Sequence, residues 1–444
     1  MMPQRKIHQL MMVAGLVLAG ASSESPGADG ANTTKIFGIQ VSGATRTDLA
    51  WLERYLGIEF PAEISEADVV QIRRKLMTAD VFTDVRIRVE GSTSKLVIDL
   101  DEKWTTIPVI RGAYGGGTPL LVAGIYDMHA FGRLLTLGAE TKKYGSSPPG
   151  FTLWAKLPRA GSGKGSTGIE LWRDFRRRSY YSGSGELSGT LGFDSAYARF
   201  YHLVPILAEV DPLDPEILQA GVELLTRRDR QPLVEDIPAA QLNLPEGQNS
   251  TEHRFLASFV FDNMEVEDQQ LGGQRLLIKS GVSQSEGVTD PGISNYSEAE
   301  AFSFYRPENN INIATHAYLQ VAGSPTVANA FHLGGFDSVR GFPDGIRHGA
   351  FAAYGNLEVR REALTAKWLK VATVVFADVG IAGKDFAEAR QDVFRSAGTG
   401  IRLSIPKVHR LVFRLDYAWG KSEKISTSGI SLGLNQFFQP YKPL

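Results

Sequence analysis

The densest concentration of reactive side chains in this sequence lies between positions 334 and 416. The run Gly334-Gly335-Phe336-Asp337-Ser338-Val339-Arg340-Gly341-Phe342 places one arginine in a glycine-rich loop. Downstream, Asn356-Leu357-Glu358-Val359-Arg360 sets three polar groups on one strand face, and Phe376-Ala377-Asp378-Val379-Gly380 sets a ring and a carboxylate on another. Gly398-Thr399-Gly400-Ile401-Arg402 follows on the next strand, and Asp416 on the one after it. A guanidinium that leaves bulk water needs a carboxylate in fork geometry. Glu358, Asp378 and Asp416 are the acceptors on offer, and the residues alone do not choose among them. The chemistry is that of a buried charge-assisted latch: the loop is long and glycine-rich enough to fold back into a pore, if these strands enclose one.

Other candidates read as ordinary structure. Gly161-Ser162-Gly163-Lys164-Gly165-Ser166-Thr167 imitates a phosphate loop, but Gly rather than Ser or Thr follows Lys164, and Pro158 stands where the first glycine belongs. It reads as a hairpin loop. Arg173 to Arg178, with four arginines, could attract lipopolysaccharide or anionic solutes, but a lumen face with an exposed strand end explains it equally. Ser, His and Asp occur without nucleophile-elbow spacing. The eight histidines are scattered and read as isolated solvated side chains. There is no cysteine, which excludes disulfides, thiolate metal sites and a cysteine nucleophile. With net charge −2 and 22% charged residues, nothing suggests a nucleic-acid partner. No bond-breaking chemistry is implied and no cofactor is required.

The elements that position the arginine belong to an exported chain. Arg5 and Lys6 form a basic start, Leu10 to Ala19 an apolar run, and Ala19-Gly20-Ala21 a small-residue cleavage site, so residues 1–21 read as a signal peptide. The apolar run falls short of the roughly 20 residues of a membrane helix. A polar linker over 22–33 leads to a segment at 34–102 with the order strand–helix–helix–strand–strand. Lys35 to Ser42 alternates; Leu49, Leu52 and Leu56 have helical spacing; Ser65 and Asp68 form a capping-box variant ahead of Val69, Ile72 and Leu76. Val81 to Val89 and Lys95 to Leu100 alternate as strands.

From residue 103 onward the period is two, with turns rich in Gly, Pro, Asp and Asn. Leu411, Phe413, Leu415, Tyr417 and Trp419 oppose Val412, Arg414, Asp416 and Ala418. Val371, Val375 and Val379 oppose Lys370, Phe376, Asp378 and Gly380. A soluble sandwich and a membrane barrel both alternate in this way; the export signal, the missing cysteine and the aromatic strand ends favour the barrel. Spacing gives about sixteen strands, each of roughly 9–11 membrane residues plus its turn, with Pro232 to Ser250 as one extended loop.

The four clusters, in this order and spacing, resemble the barrel signature of the outer membrane protein 85 superfamily. Val41-x-Gly43-x-x-Arg46-Thr47 and Val81-Phe82-Thr83-Asp84-Val85 resemble its POTRA domains. The resemblance covers about residues 35 to 438. It implies a mainly β protein: one small α+β (βααββ) POTRA domain in the periplasm, then a sixteen-stranded antiparallel transmembrane β-barrel over 103–444 in the outer membrane. It picks Asp378 as the partner of Arg340, with Val339, Gly341 and Phe342 completing the loop motif and Glu358, Phe376, Gly380 and Arg402 facing the lumen. It implies work on unfolded outer-membrane or secreted polypeptides amid outer-membrane lipids. The forms are barrel insertion, polypeptide transport of the two-partner secretion type or, as an alternative that leaves the POTRA domain unused, passive solute passage. The single POTRA domain and the tail Gln439 to Leu444 depart from the family's assembly proteins, and no lipase-type domain precedes residue 34. The residues do not specify an oligomeric state.

Two surfaces follow. The strand edge Thr83 to Val89, with Thr83, Val85 and Ile87, is the expected docking edge for a client. The seam between the first barrel strand (about Ile107 to Gly117, with Gly116) and the last (Gly429 to Phe438, with Gly433) is glycine-rich, which weakens pairing. The same glycines would also serve the barrel's curvature.

Overall fold

A computed structural model describes residues 33–434 except positions 80, 92, 116–117, 161–164, 207–216, 235–248, 268–269, 288–290, 309, 327–328, 336–337, 367–368 and 405–411. The expected signal peptide, nearly all of the linker, and the seam positions Gly116 and Phe438 lie outside the described residues.

The N-terminal segment comprises β1 (Thr34–Ile36), β2 (Gly38–Ser42), α1 (Leu49–Leu56), β3 (Ala62–Ile64), α2 (Glu66–Thr78), β4 (Phe82–Glu90) and β5 (Lys95–Glu102). The single first strand expected from sequence is two, because the chain changes partner at Phe37: β1 pairs with β3, whereas β2 runs parallel to β5. β5 lies between β2 and the antiparallel β4. That central place explains its near-continuous apolar run, with Leu96, Val97, Ile98 and Leu100 all buried. Asp48 caps α1 by accepting from the Trp51 N–H at 2.8 Å, and left-handed Gly57 ends it. Ser65 and Asp68 form a reciprocal box at the start of α2. Ile72 and Leu76 reach the core with Leu52 and Leu56. Leu49, expected on that face, is instead 50% exposed at the first position of the helix. Trp51 is buried in its stead and stacks on Tyr55.

The barrel strands are β6 (Thr106–Gly115), β7 (Thr118–Ala130), β8 (Leu135–Tyr144), β9 (Gly150–Ala160), β10 (Gly165–Tyr181), β11 (Leu187–Pro205), β12 (Leu218–Val234), β13 (Ser250–Asp262), β15 (Gln270–Glu286), β16 (Gly292–Glu308) and β17 (Ile311–Ala322). They continue with β20 (Phe351–Thr365), β21 (Lys370–Gly383), β22 (Phe394–Ser404), β23 (Val412–Lys421) and β24 (Ser426–Leu434). These sixteen close on themselves through antiparallel neighbours. The short β14 (Glu265–Glu267) extends one rim beside β15, and β18 (Phe331–Leu333) pairs with β19 (Arg347–Gly349) inside the loop between β17 and β20. A short helix, α3 (Phe386–Ala389), follows β21. The loop expected to open at Pro232 begins later, since β12 continues to Val234.

Alternation sorts polarity inside out relative to a soluble sandwich. On β23, Arg414, Asp416 and Ala418 are buried in the lumen, while Phe413, Leu415, Tyr417 and Trp419 are exposed outside. Leu153, Leu171, Leu224, Phe255 and Val375 continue that outer belt around the wall. Exposed apolar side chains on a closed sheet, with charges enclosed, are the pattern of a barrel solvated by lipid. Among the described residues no helix is long and apolar enough to cross a membrane. The wall is uneven: β10, β11 and β12 have 17, 19 and 17 residues, whereas β8 has 10.

Candidate functional site

Arg340 is fully buried inside the barrel at the tip of the loop between β17 and β20. Its Nε and Nη2 donate to the two oxygens of Asp378, each at 2.8 Å, which is the fork geometry that best suits a guanidinium. Its backbone N–H adds a third donor to Asp378 at 3.1 Å. Nη1 reaches Glu358 at 2.6 Å and Asp416 at 3.2 Å, so all three carboxylates left open by the sequence are used. The guanidinium also lies 3.4 Å from the Phe376 ring centroid. Arg402 bridges Asp416 (2.5 Å) and Glu358 (2.9 Å), and Arg360 holds the other oxygen of Glu358 at 2.8 Å. Arg414 approaches Asp416 at 3.9 Å. Four guanidiniums and three carboxylates thus share one buried patch of wall on β20 to β23. Charges taken out of water are tolerable when opposite charges and hydrogen bonds surround them.

Neighbouring residues seat the loop. Val339 and Phe342 are buried with Leu333, Ile346 and Phe394, and Phe342 meets Phe394 edge to face at 5.1 Å. Gly341 has φ 87°, which favours glycine, and turns the chain between Arg340 and Phe342. Gly380 makes room on the wall: a Cβ there would lie 2.7 Å from Val339 and 2.8 Å from Leu333. Asn356 donates to the Ser338 carbonyl at 2.6 Å and to Asp378 at 2.9 Å, fixing loop and carboxylate together.

The loop has a second anchor on the opposite wall. The Asn329 side chain donates to Glu252 of β13 at 2.6 Å and accepts from Arg227 of β12 at 2.6 Å, while Thr326 donates to Asp229 at 3.3 Å. Held on both sides, the loop spans the lumen. Nothing in the sequence marks Thr326 or Asn329, because their partners lie about a hundred positions away.

The N-terminal domain is locked to the barrel beside β6. Glu102 accepts from the N–H groups of Thr45, Arg46 and Thr47 and from both threonine hydroxyls. Burial pushes its carboxyl up, but these hydrogen bonds outweigh burial and bring it down to about 2. Arg46 crosses to Asp127 of β7 at 3.0 Å, and Arg133 returns from the β7–β8 turn to Asp48 at 2.7 Å. That turn also places Leu134 in the domain's apolar core. His129, expected to be solvated, is only 2% exposed: it packs edge-on to Trp51 and Phe82. Its Nδ1 accepts from the Leu134 N–H, which leaves the proton on Nε2, facing the Thr47 hydroxyl at 3.0 Å. His316 is likewise buried, stacked on Phe302 and 3.0 Å from Glu300.

The seam joins β24 to β6. Among the described residues the register is set by two pairs, Leu432 with Tyr114 and Gly433 with Ala113, and positions of the last strand beyond Leu434 lie outside the described residues. Ser426 to Ile430 extend β24 past these two pairs, and β6 ends at Gly115 among the described residues. At the domain's sheet edge, β4 pairs only with β5 among the described residues. Val85 is buried, Ile87 half-buried, and Thr83 sits at a bulge between the Phe82 and Asp84 pairs. Arg73 of α2 donates to the Val85 carbonyl at 2.8 Å, so the lower part of the edge is already occupied.

No family model and no curated protein matches the chain. Solved structures do. BamA from Haemophilus ducreyi lacking POTRA domains 1–3 superposes with TM-score 0.58 at 16% identity, covering 91% of this chain and 85% of that one. CdiB from Acinetobacter baumannii gives TM-score 0.62 at 15% identity, covering 91% and 74%, and CdiB from Escherichia coli gives 0.55 at 12%, covering 97% of each. At such identities the likeness is one of fold. The chain shares their overall fold, and its own form is a sixteen-stranded barrel carrying a small α/β domain on one rim.

Proposed function

We propose that this chain is an outer-membrane protein of the outer membrane protein 85 superfamily that inserts or transports polypeptides through its barrel. In this reading the N-terminal segment is a POTRA domain in the periplasm. The observation that carries the proposal is the seam. Among the described residues its upper edge, Ser426 to Ile430, has no register partner on β6, so a client strand can pair there with less native pairing to displace. The edge of β4 is the first station for an extended client, by strand addition above the Val85 carbonyl that Arg73 occupies. The Arg340 latch keeps the lumen closed meanwhile. Passive solute passage is the weaker reading, because a loop fixed to both walls crosses the pore. No step requires a cofactor.

Depletion followed by proteomics of the outer membrane tests the reading. Loss of many barrel proteins indicates insertion, and loss of one exported protein indicates dedicated translocation. An unchanged outer-membrane and secreted proteome overturns both.

A further inference from the structure

We propose that the outer face of β10, β11 and β12, above the apolar belt, binds the phosphorylated headgroup of an outer-leaflet glycolipid; this rests on the outer-membrane reading. The N-terminal domain docks at the rim where β6 begins, so the ends of β10 at Tyr181 and β12 at Val234 reach the opposite, extracellular rim. Strands of 17 to 19 residues rise about 40 Å when tilted as barrel strands are, against an apolar belt of about 25 Å. Their upper parts therefore stand at headgroup level.

Polarity changes at that level. Outward side chains on β10 run Ile169, Leu171, then Arg173, Phe175, Arg177; on β12 they run Val222, Leu224, then Thr226, Arg228, Arg230. Between them β11 turns outward only small or short residues, Ala196, Asp194 and Gly192. Register aligns these rows: Arg173 and Arg228 flank Ala196, while Phe175 and Arg230 flank Asp194. Two strand spacings put the arginine ridges about 10 Å apart across a shallow floor.

Charge and order fit the ligand. Among the described residues of these three strands, Asp194 is the one acid facing outward above the belt, against four arginines. Arg173 is held in a fork on Asp194 (3.1 and 3.0 Å) and lies over Phe175, so it is pre-positioned, while Arg228 and Arg230 are exposed. Guanidinium forks match phosphate oxygens. The apolar residues directly below, Leu171, Phe200 and Leu224, are exposed where acyl chains would lie. An anionic head joined to apolar tails satisfies both halves of the surface; a free anion satisfies only one.

The test uses the full-length protein in detergent, with diphosphorylated lipid A, fully dephosphorylated lipid A and inorganic phosphate as probes, and retention read by native mass spectrometry. The expected result is retention of diphosphorylated lipid A alone, no displacement by inorganic phosphate, and about tenfold or greater loss in Arg228→Glu/Arg230→Glu. Arg228→Lys/Arg230→Lys should keep most of the binding, and heat-resistant migration should show that both variants fold. Equal retention by the charge-reversed variant, equal retention of the dephosphorylated lipid, or displacement by inorganic phosphate would overturn the proposal. Membrane fractionation of the wild type separates the two claims. Recovery in the outer membrane without lipid A discrimination sinks this inference alone, and recovery elsewhere sinks the localisation beneath it.

Discussion

Removing Asp378 should damage the protein more than removing Arg340, although the two form one ion pair. The reason is the charge count of the buried patch. Among the described residues, Arg340, Arg360, Arg402 and Arg414 face Glu358, Asp378 and Asp416, an excess of one positive charge. Arg340→Ala brings the patch to neutrality and leaves Asp378 accepting from Asn356 and Ser396. Asp378→Ala raises the excess to two and orphans the fork, the Arg340 N–H and a second partner of Asn356. Breaking a buried pair costs about 3–5 kcal/mol. Arg340→Ala belongs near 3 and Asp378→Ala near 5 on that scale. The double variant restores the original excess and should cost no more than Asp378→Ala alone, a coupling of about 3 kcal/mol. Guanidinium titration of the three variants in detergent, reading the heat-resistant compact form, measures all of these. Additive losses, or a worse Arg340→Ala, would refute the charge argument.

Three further outcomes follow from neighbouring contacts. Gly420→Val should expel Phe342 and expose the loop to proteolysis, since a Cβ there lies 2.6 Å from that ring; unchanged protease resistance would count against the packing. Because the Glu102 carboxyl is lowered from 4.5 to about 2, its contribution to the N-terminal domain's stability is present above pH 4.5 and lost as pH falls toward 2. The melting temperature of the N-terminal domain should drop over that window, and Glu102→Gln should flatten the profile. Ile87→Pro should abolish client crosslinking along β4 while the barrel still assembles; undiminished crosslinking would move docking elsewhere.

What could be read from the sequence was what repeats locally. Alternation on β21 and β23 assigned lumen and lipid faces, and with them the carboxylates around Arg340. Ser65 and Asp68, three residues apart, announced α2. The features that escaped depend on distant pairing. Phe37 gives no sign that β1 leaves for β3 while β2 joins β5. His129 read as a solvated side chain, yet it packs on Trp51 and Phe82 while Leu134 enters that domain's core, because pairing of β7 with β6 brings the β7–β8 turn beneath it. Arg360 and Arg414 were visible on lumen faces, but their sharing of Glu358 and Asp416 with Arg340 needed four strands to be brought side by side.

The most direct test of the account is a reversible lock on the seam. Tyr114 and Leu432 are register partners on the lipid face, both exposed. Antiparallel partners stand about 4.5–5.5 Å apart at Cα, within disulfide reach, and the native chain has no cysteine to interfere. In Tyr114→Cys/Leu432→Cys, oxidation should stop insertion or export of a client polypeptide, and reduction should restore it to the wild-type level. Full activity with the disulfide intact would contradict seam opening and leave transport through the lumen as the route.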